Sequence, residues 1–122
     1  MKKDNLDFFI ENSEGKIQGK QISCDYLKSN IIFNYNNDQY KYDCKNKVLI
    51  KENEESILIL EFKKNKYTVS NYYIKKLDIY IDIKILTNKL ITDNNKIHIE
   101  YELWVSDEYS GKFIFELKGE FK

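Results

Sequence analysis

The chain of 122 residues contains no alanine, no arginine and no proline. Without arginine it lacks the planar guanidinium fork that grips phosphate and guanine edges at two points, which argues against nucleic acid as a partner. Its twenty lysines are interspersed with twenty acidic residues, so there is no basic face to gather an anionic polymer or an anionic membrane. Without alanine it lacks the best helix former. Only two cysteines are present, Cys24 and Cys44, too few for a disulfide scaffold. The apolar runs are short: Phe8-Phe9-Ile10 near the start, and none longer than Ile57-Leu58-Ile59-Leu60 thereafter. Neither a signal peptide nor a membrane-spanning helix is expected from such runs. A cytoplasmic location and reduced thiols are the corresponding expectations.

What the chain has in abundance is isoleucine, lysine, asparagine and tyrosine, a bias of the kind AT-rich coding produces. Ile, Leu, Val and Phe supply about 30% of the residues, above the range in which a chain cannot offset its ordering entropy and stays unfolded. One domain spanning 1–122 is expected, large enough to bury roughly two-thirds of the surface of its unfolded form. Strand-forming residues dominate: Leu77, Ile79, Ile81, Ile83 and Ile85 fall on consecutive odd positions, the period of a half-buried strand. The same alternation returns in Ile97, Ile99, Tyr101, Leu103 and Val105, and in Phe113, Phe115 and Leu117. No stretch holds a helical period.

Polar turn clusters such as Asn36-Asn37-Asp38, Asn53-Glu54-Glu55 and Asp93-Asn94-Asn95 punctuate these segments. They leave strand candidates at about 7–11, 16–27, 30–35, 39–44, 47–52, 56–62, 66–73, 76–91, 96–106 and 111–121, with 30–44 readable as one hairpin. Closely spaced strands joined by short turns favour antiparallel neighbours, and a long run of them removes its vulnerable edges best by closing. The expected architecture is an all-β, antiparallel up-and-down β-barrel of about eight strands, with a β-sandwich as the alternative. Segments 76–91 and 96–106 should form a hairpin that places Asp78, Asp82 and Lys84 opposite His98, Glu100 and Glu102 on a solvated face.

No phosphate-cradling glycine spacing, metal-ligand spacing or nucleophile–base pairing accompanies the strands. His98, the sole histidine, shares a strand face with Glu100 and Glu102, but side chains about 7 Å apart per step suit a ladder of surface pairs better than a coordination shell. Neither a catalytic residue, a metal nor a cofactor is assigned, and an enzyme is not expected. The tyrosines are more informative. Tyr35, Tyr42, Tyr67, Tyr73 and Tyr101 are expected on inward faces, where each buried hydroxyl needs a partner. A barrel of this size is either filled by its own side chains or holds one small ligand. In the second case Tyr35, Tyr42, Thr87 and Tyr101 are the candidate contacts to a small, partly apolar molecule. Tyr72, Tyr80 and Trp104, on faces otherwise polar, are the candidate anchors for a protein partner.

The run from Ile57-Leu58-Ile59-Leu60 through Tyr67-Thr68-Val69, the alternating strand closed by Thr87-Asn88-Lys89-Leu90, then Ile97-His98-Ile99-Glu100-Tyr101-Glu102-Leu103 and Phe113-Ile114-Phe115-Glu116-Leu117 carries a family likeness. In that order of features the chain resembles the calycin-like, lipocalin-like β-barrel family of Firmicute bacteria, the YwiB-like proteins. The similarity runs from about residue 47 onward and more weakly through 28–37, and the chain lacks the glycine or proline usual near 73–76. What the resemblance implies is the barrel fold; the family has no settled activity to transfer.

Overall fold

Short polar turns decide the topology. Lys28-Ser29, Asn36-Asn37 and Ser106-Asp107 each place two successive residues at positive φ, between 48° and 71°. That pair of left-handed residues is the signature of the two-residue hairpin turn whose twist matches that of the strands it joins. The computed structural model describes residues 2–121, with side chains from Asn5 to Phe121. Among the described residues every regular element is a strand: β1 (Lys2–Asn12), β2 (Gly15–Leu27), β3 (Asn30–Tyr35), β4 (Asp38–Asp43), β5 (Val48–Glu52), β6 (Ser56–Glu61), β7 (Tyr67–Ile74), β8 (Ile79–Thr92), β9 (Lys96–Val105) and β10 (Glu108–Gly119).

Each strand pairs antiparallel with its sequence neighbour, and β1 pairs with β10 through Leu6–Gly119 to Glu11–Ile114, closing the sheet into a barrel. Closure satisfies the edges that an open sheet of this length would expose. The barrel has ten strands where about eight were expected. Segments 30–35 and 39–44 remain separate strands because the Asn36-Asn37 turn consumes only two residues. The first strand begins at Lys2, five residues earlier than its hydrophobic pattern marks, because residues 2–5 pair with Tyr26 to Ser23 of β2. Strand β8 starts at Ile79, not at 76. Residues Lys75 to Asp78 form a turn instead, with Asp78 at φ 52°, the left-handed position for which glycine is the usual choice.

The alternation built the core as the hydrophobic pattern requires. Phe8, Ile31, Phe33, Tyr42, Ile85, Ile97, Ile99, Phe115 and Leu117 are all 1% exposed or less. Phe8 lies at the centre of an aromatic cluster, with ring centroids 4.9 Å from Tyr40, 5.1 Å from Phe33 and 6.1 Å from Phe115. Three bulges, at Leu6/Phe8, Thr87/Lys89 and Tyr109/Gly111, shift the pairing register. The second shift moves inward positions on β8 from the odd residues Ile83, Ile85 and Thr87 to the even residue Leu90. The expected charge ladder is absent because of the hairpin register itself: Lys84 faces Trp104, Leu86 faces Glu102, Lys89 faces Glu100 and Ile91 faces His98, while Asp82 lies opposite Asn71 on β7.

The two ends of the barrel differ. The end bearing the β2–β3, β4–β5, β6–β7 and β8–β9 turns is covered by Phe62 and Phe121, 1% and 3% exposed. The backbone N–H groups of Gly119 and Phe121 donate to Asn95 and Asn94, binding the final residues across the β8–β9 turn. The opposite end bears the β1–β2, β3–β4, β5–β6, β7–β8 and β9–β10 turns and is less completely filled.

Candidate functional site

An apolar pocket of about 120 Å³ opens toward this second end of the barrel. Its aliphatic lining comes from Ile10, Leu49, Leu58, Leu60 and Leu103, and its aromatic lining from Tyr40, Tyr101 and Phe113. Strand parity explains why these meet. Tyr40 on β4 is paired with Lys51 on β5, and Lys51 with Leu58 on β6, all on inward positions. Tyr101 and Leu103 follow the same parity on β9, and the Phe113 ring stacks on Tyr101 at 5.4 Å and 12°.

The polar groups of the pocket are few. Burial raises the Tyr101 and Tyr40 phenols well above their ordinary range, with Tyr40 adding to the shift at Tyr101, and Asp38 and then Tyr35 adding to it at Tyr40. Both are neutral donors at physiological pH. Lys51 is the single charged residue of the lining. Its ammonium sits at the lip, 5.9 Å from the centroid of the Tyr40 ring and 3.6 Å from Asp38. Asn53 Nδ2 also donates to Asp38, at 2.8 Å.

Of the four residues expected to line an interior site, the structure brings only Tyr101 into this pocket. Tyr42 points to the covered end, where its hydroxyl lies 3.2 Å from Thr92 Oγ1. Tyr35 leans over β2, and its hydroxyl donates to the Gln18 carbonyl at 2.9 Å. Gly19 makes room for that ring, since a Cβ there would fall 2.8 Å from Tyr35 Cε1 and 2.5 Å from Ile22 Cδ1. Thr87 is fully buried opposite Tyr101 in register but outside the pocket lining, and its hydroxyl has no hydrogen-bond partner. Sequence reasoning missed Tyr40 and Lys51. The signal was present in the pattern: Tyr40 lies two residues before Tyr42 on the same face, and a lysine in phase with Leu49 marks a charge directed inward.

The outer candidates divide differently. Tyr80 and Trp104 do lie on the outer face, Tyr80 65% exposed and stacked on Tyr73 at 4.5 Å. Tyr72 does not. It pairs with Ile81 and packs against the core, while Tyr73, expected inside, takes the outer position. Thr68 and Ser70, both buried, fix this parity, and two polar residues on the inner face concealed it from the hydrophobic pattern. Tyr67 is likewise outside: Lys84 lies 5.1 Å over its ring and 4.9 Å over that of Trp104, and Tyr109 closes on Trp104 at 5.2 Å.

His98 is held on the outer face between two carboxylates, with Nδ1 2.9 Å from Glu116 and Nε2 2.7 Å from Glu100. Among the described residues no group of three or more His, Cys, Asp or Glu is arranged to hold a metal ion. Burial alone would raise the Glu116 carboxyl, but hydrogen bonds from His98 and Lys118 outweigh it and hold the group below its ordinary value of 4.5. A depressed carboxylate adds stability that is present above its unfolded pKa and lost as pH falls through the folded one. Glu116→Gln is therefore expected to lower the melting temperature at pH 7 and to lose that deficit below about pH 4. Thermal denaturation of both proteins at pH 7 and pH 3 checks this, and a deficit that persists at pH 3 would assign the loss to packing.

No disulfide joins the cysteines: Cys24 is buried in the core, and Cys44 is half-buried, where burial pushes its thiol up and away from the reactive thiolate. A larger groove of about 300 Å³ lies near Phe9, Gln18, Lys20, Glu116 and Lys118. Its charged walls suit solvent better than an apolar molecule, so the interior pocket is the stronger candidate.

Fold and site together define a small, closed, antiparallel β-barrel with a covered end and an apolar pocket toward the other. No family model matches the chain, and no curated protein matches it. A solved structure to which it is similar is that of the YwiB protein from Bacillus subtilis, at 13% identity and a TM-score of 0.44, over 96% of this chain and 89% of that one.

Proposed function

We propose that this protein is a non-enzymatic binding barrel that takes a small, largely apolar molecule into the pocket between Tyr40, Leu58, Tyr101 and Phe113. The observation that carries this reading is the pocket itself, an unfilled 120 Å³ in an interior otherwise packed with aromatic side chains. An engineered apolar cavity of about 150 Å³ is enough to bind benzene, so one ring or a short branched chain matches the space. The calycin-like relationship and a cytoplasmic location are part of the same proposal. Native mass spectrometry of the gently purified protein, set beside its denatured mass, tests it. A retained small molecule lost on denaturation supports binding. A bare protein that also takes up no added benzene or phenol counts against it.

A second reading has its own observation. Tyr67, Val69, Tyr80 and Tyr109 are each more than half exposed on the outer face of β7, β8 and β10, and aromatic anchors of this kind are frequent at protein interfaces. Trp104→Ala combined with Tyr80→Ala is expected to abolish capture of a protein partner while leaving the barrel's circular dichroism unchanged. Capture at wild-type strength would remove this reading.

A further inference from the structure

Two tyrosines and one lysine supply the polar groups of the pocket lining, and the lining contains no carboxylate. Tyr40 and Tyr101 are 2% and 5% exposed, and neither hydroxyl forms a hydrogen bond with another described residue. Other buried or half-buried tyrosines in this barrel behave differently: the Tyr42 hydroxyl meets Thr92 and that of Tyr35 meets the Gln18 carbonyl. Among the described residues the buried side-chain polar atoms left without a partner are Asn30 Oδ1 and Thr87 Oγ1; the Tyr40 and Tyr101 hydroxyls are not sealed in the core in that way, and both residues line one volume together with Lys51. The Lys51–Asp38 separation of 3.6 Å exceeds a direct hydrogen bond. An ammonium has three donors, so Lys51 can keep Asp38 and still donate to a second acceptor. Asp38 itself is engaged by Asn53 at 2.8 Å.

We infer that the ligand is a small apolar monocarboxylate, an aryl or short-chain acid, whose hydrocarbon part fills the pocket while its carboxylate meets Lys51 and the Tyr40 and Tyr101 hydroxyls. This rests on the binding reading above and adds the charge of the ligand. The size agrees, because 120 Å³ accommodates one ring with its charged group at the lip. The sign of the charge agrees as well: a cationic ligand would meet the Lys51 ammonium, and a hydrocarbon would leave that ammonium and both hydroxyls without a new partner.

Isothermal titration of the whole protein with benzoate, benzyl alcohol and benzylammonium tests the inference. Benzoate is expected to bind at least about tenfold more tightly than benzyl alcohol, the usual worth of a hydrogen bond to a charged group, and benzylammonium least. Lys51→Met, which keeps the apolar stem, is expected to bring the benzoate and benzyl alcohol affinities together with the fold intact. Tyr101→Phe is expected to weaken benzoate more than benzyl alcohol. Equal binding of benzoate and benzyl alcohol by the wild-type protein, or a preference that survives Lys51→Met, would overturn the carboxylate assignment and leave the pocket reading standing. Failure of all three probes to bind would overturn both.

Discussion

Phe8→Ala is expected to destabilise the barrel by about 3–5 kcal/mol, the usual range for truncating a fully buried aromatic residue. Phe8 is 1% exposed and contacts the rings of Phe33, Tyr35, Tyr40 and Phe115. No neighbour can collapse into the space without leaving its own strand position, because each of those rings is fixed on a different inward site of a closed sheet. Domains of this size are stable by only about 5–15 kcal/mol, so a loss of this order lowers the melting temperature by roughly 10–20 °C. Differential scanning calorimetry measures it. A drop of only a few degrees would mean that the cluster around Phe8 is loosely packed, contrary to the fold described.

Thr87→Val is expected to act in the opposite direction. Thr87 is 0% exposed and its hydroxyl has no partner, while its backbone carbonyl accepts from Asn65 N–H at 2.8 Å. Valine keeps the shape and the β-branch and removes only the buried, unsatisfied oxygen. Relieving that desolvation penalty is worth about 1–2 kcal/mol, a rise of several degrees in melting temperature. The same substitution distinguishes two roles for Thr87. A contact to the bound molecule would make Thr87→Val weaken binding, whereas the geometry places the hydroxyl outside the pocket lining and predicts unchanged affinity. Loss of stability on substitution would show that the hydroxyl is satisfied in solution.

The barrel was legible because two local signals agreed. Period-two alternation in Ile81 to Ile85 and Ile97 to Val105 specified inward faces, and pairs such as Asn36-Asn37 specified tight hairpins. What the alternation could not reveal were the interruptions. The bulge at Thr87/Lys89 reverses parity in the middle of β8, yet Asn88 in a run of strand formers gives no local warning. Charges expected to face each other across β8 and β9 do not, because the hairpin register sets Lys84 opposite Trp104 and Ile91 opposite His98. On β7 the inner face carries Thr68 and Ser70, so hydrophobicity alone assigned Tyr72 and Tyr73 to the wrong sides. The site was legible in one residue, Tyr101, which continues the β9 alternation. Tyr40 and Lys51 were hidden for another reason: a lysine at an inward position looks like surface until the strand register is known.

Leucine-methyl NMR during titration with benzene tests the central claim most directly, because the leucines divide between the two ends of the barrel. The pocket account predicts saturable shifts at Leu49, Leu58, Leu60 and Leu103, with Leu6 and Leu117 near the covered end unchanged. Shifts absent from the four pocket leucines, or spread evenly over all six, would contradict a binding pocket inside this barrel.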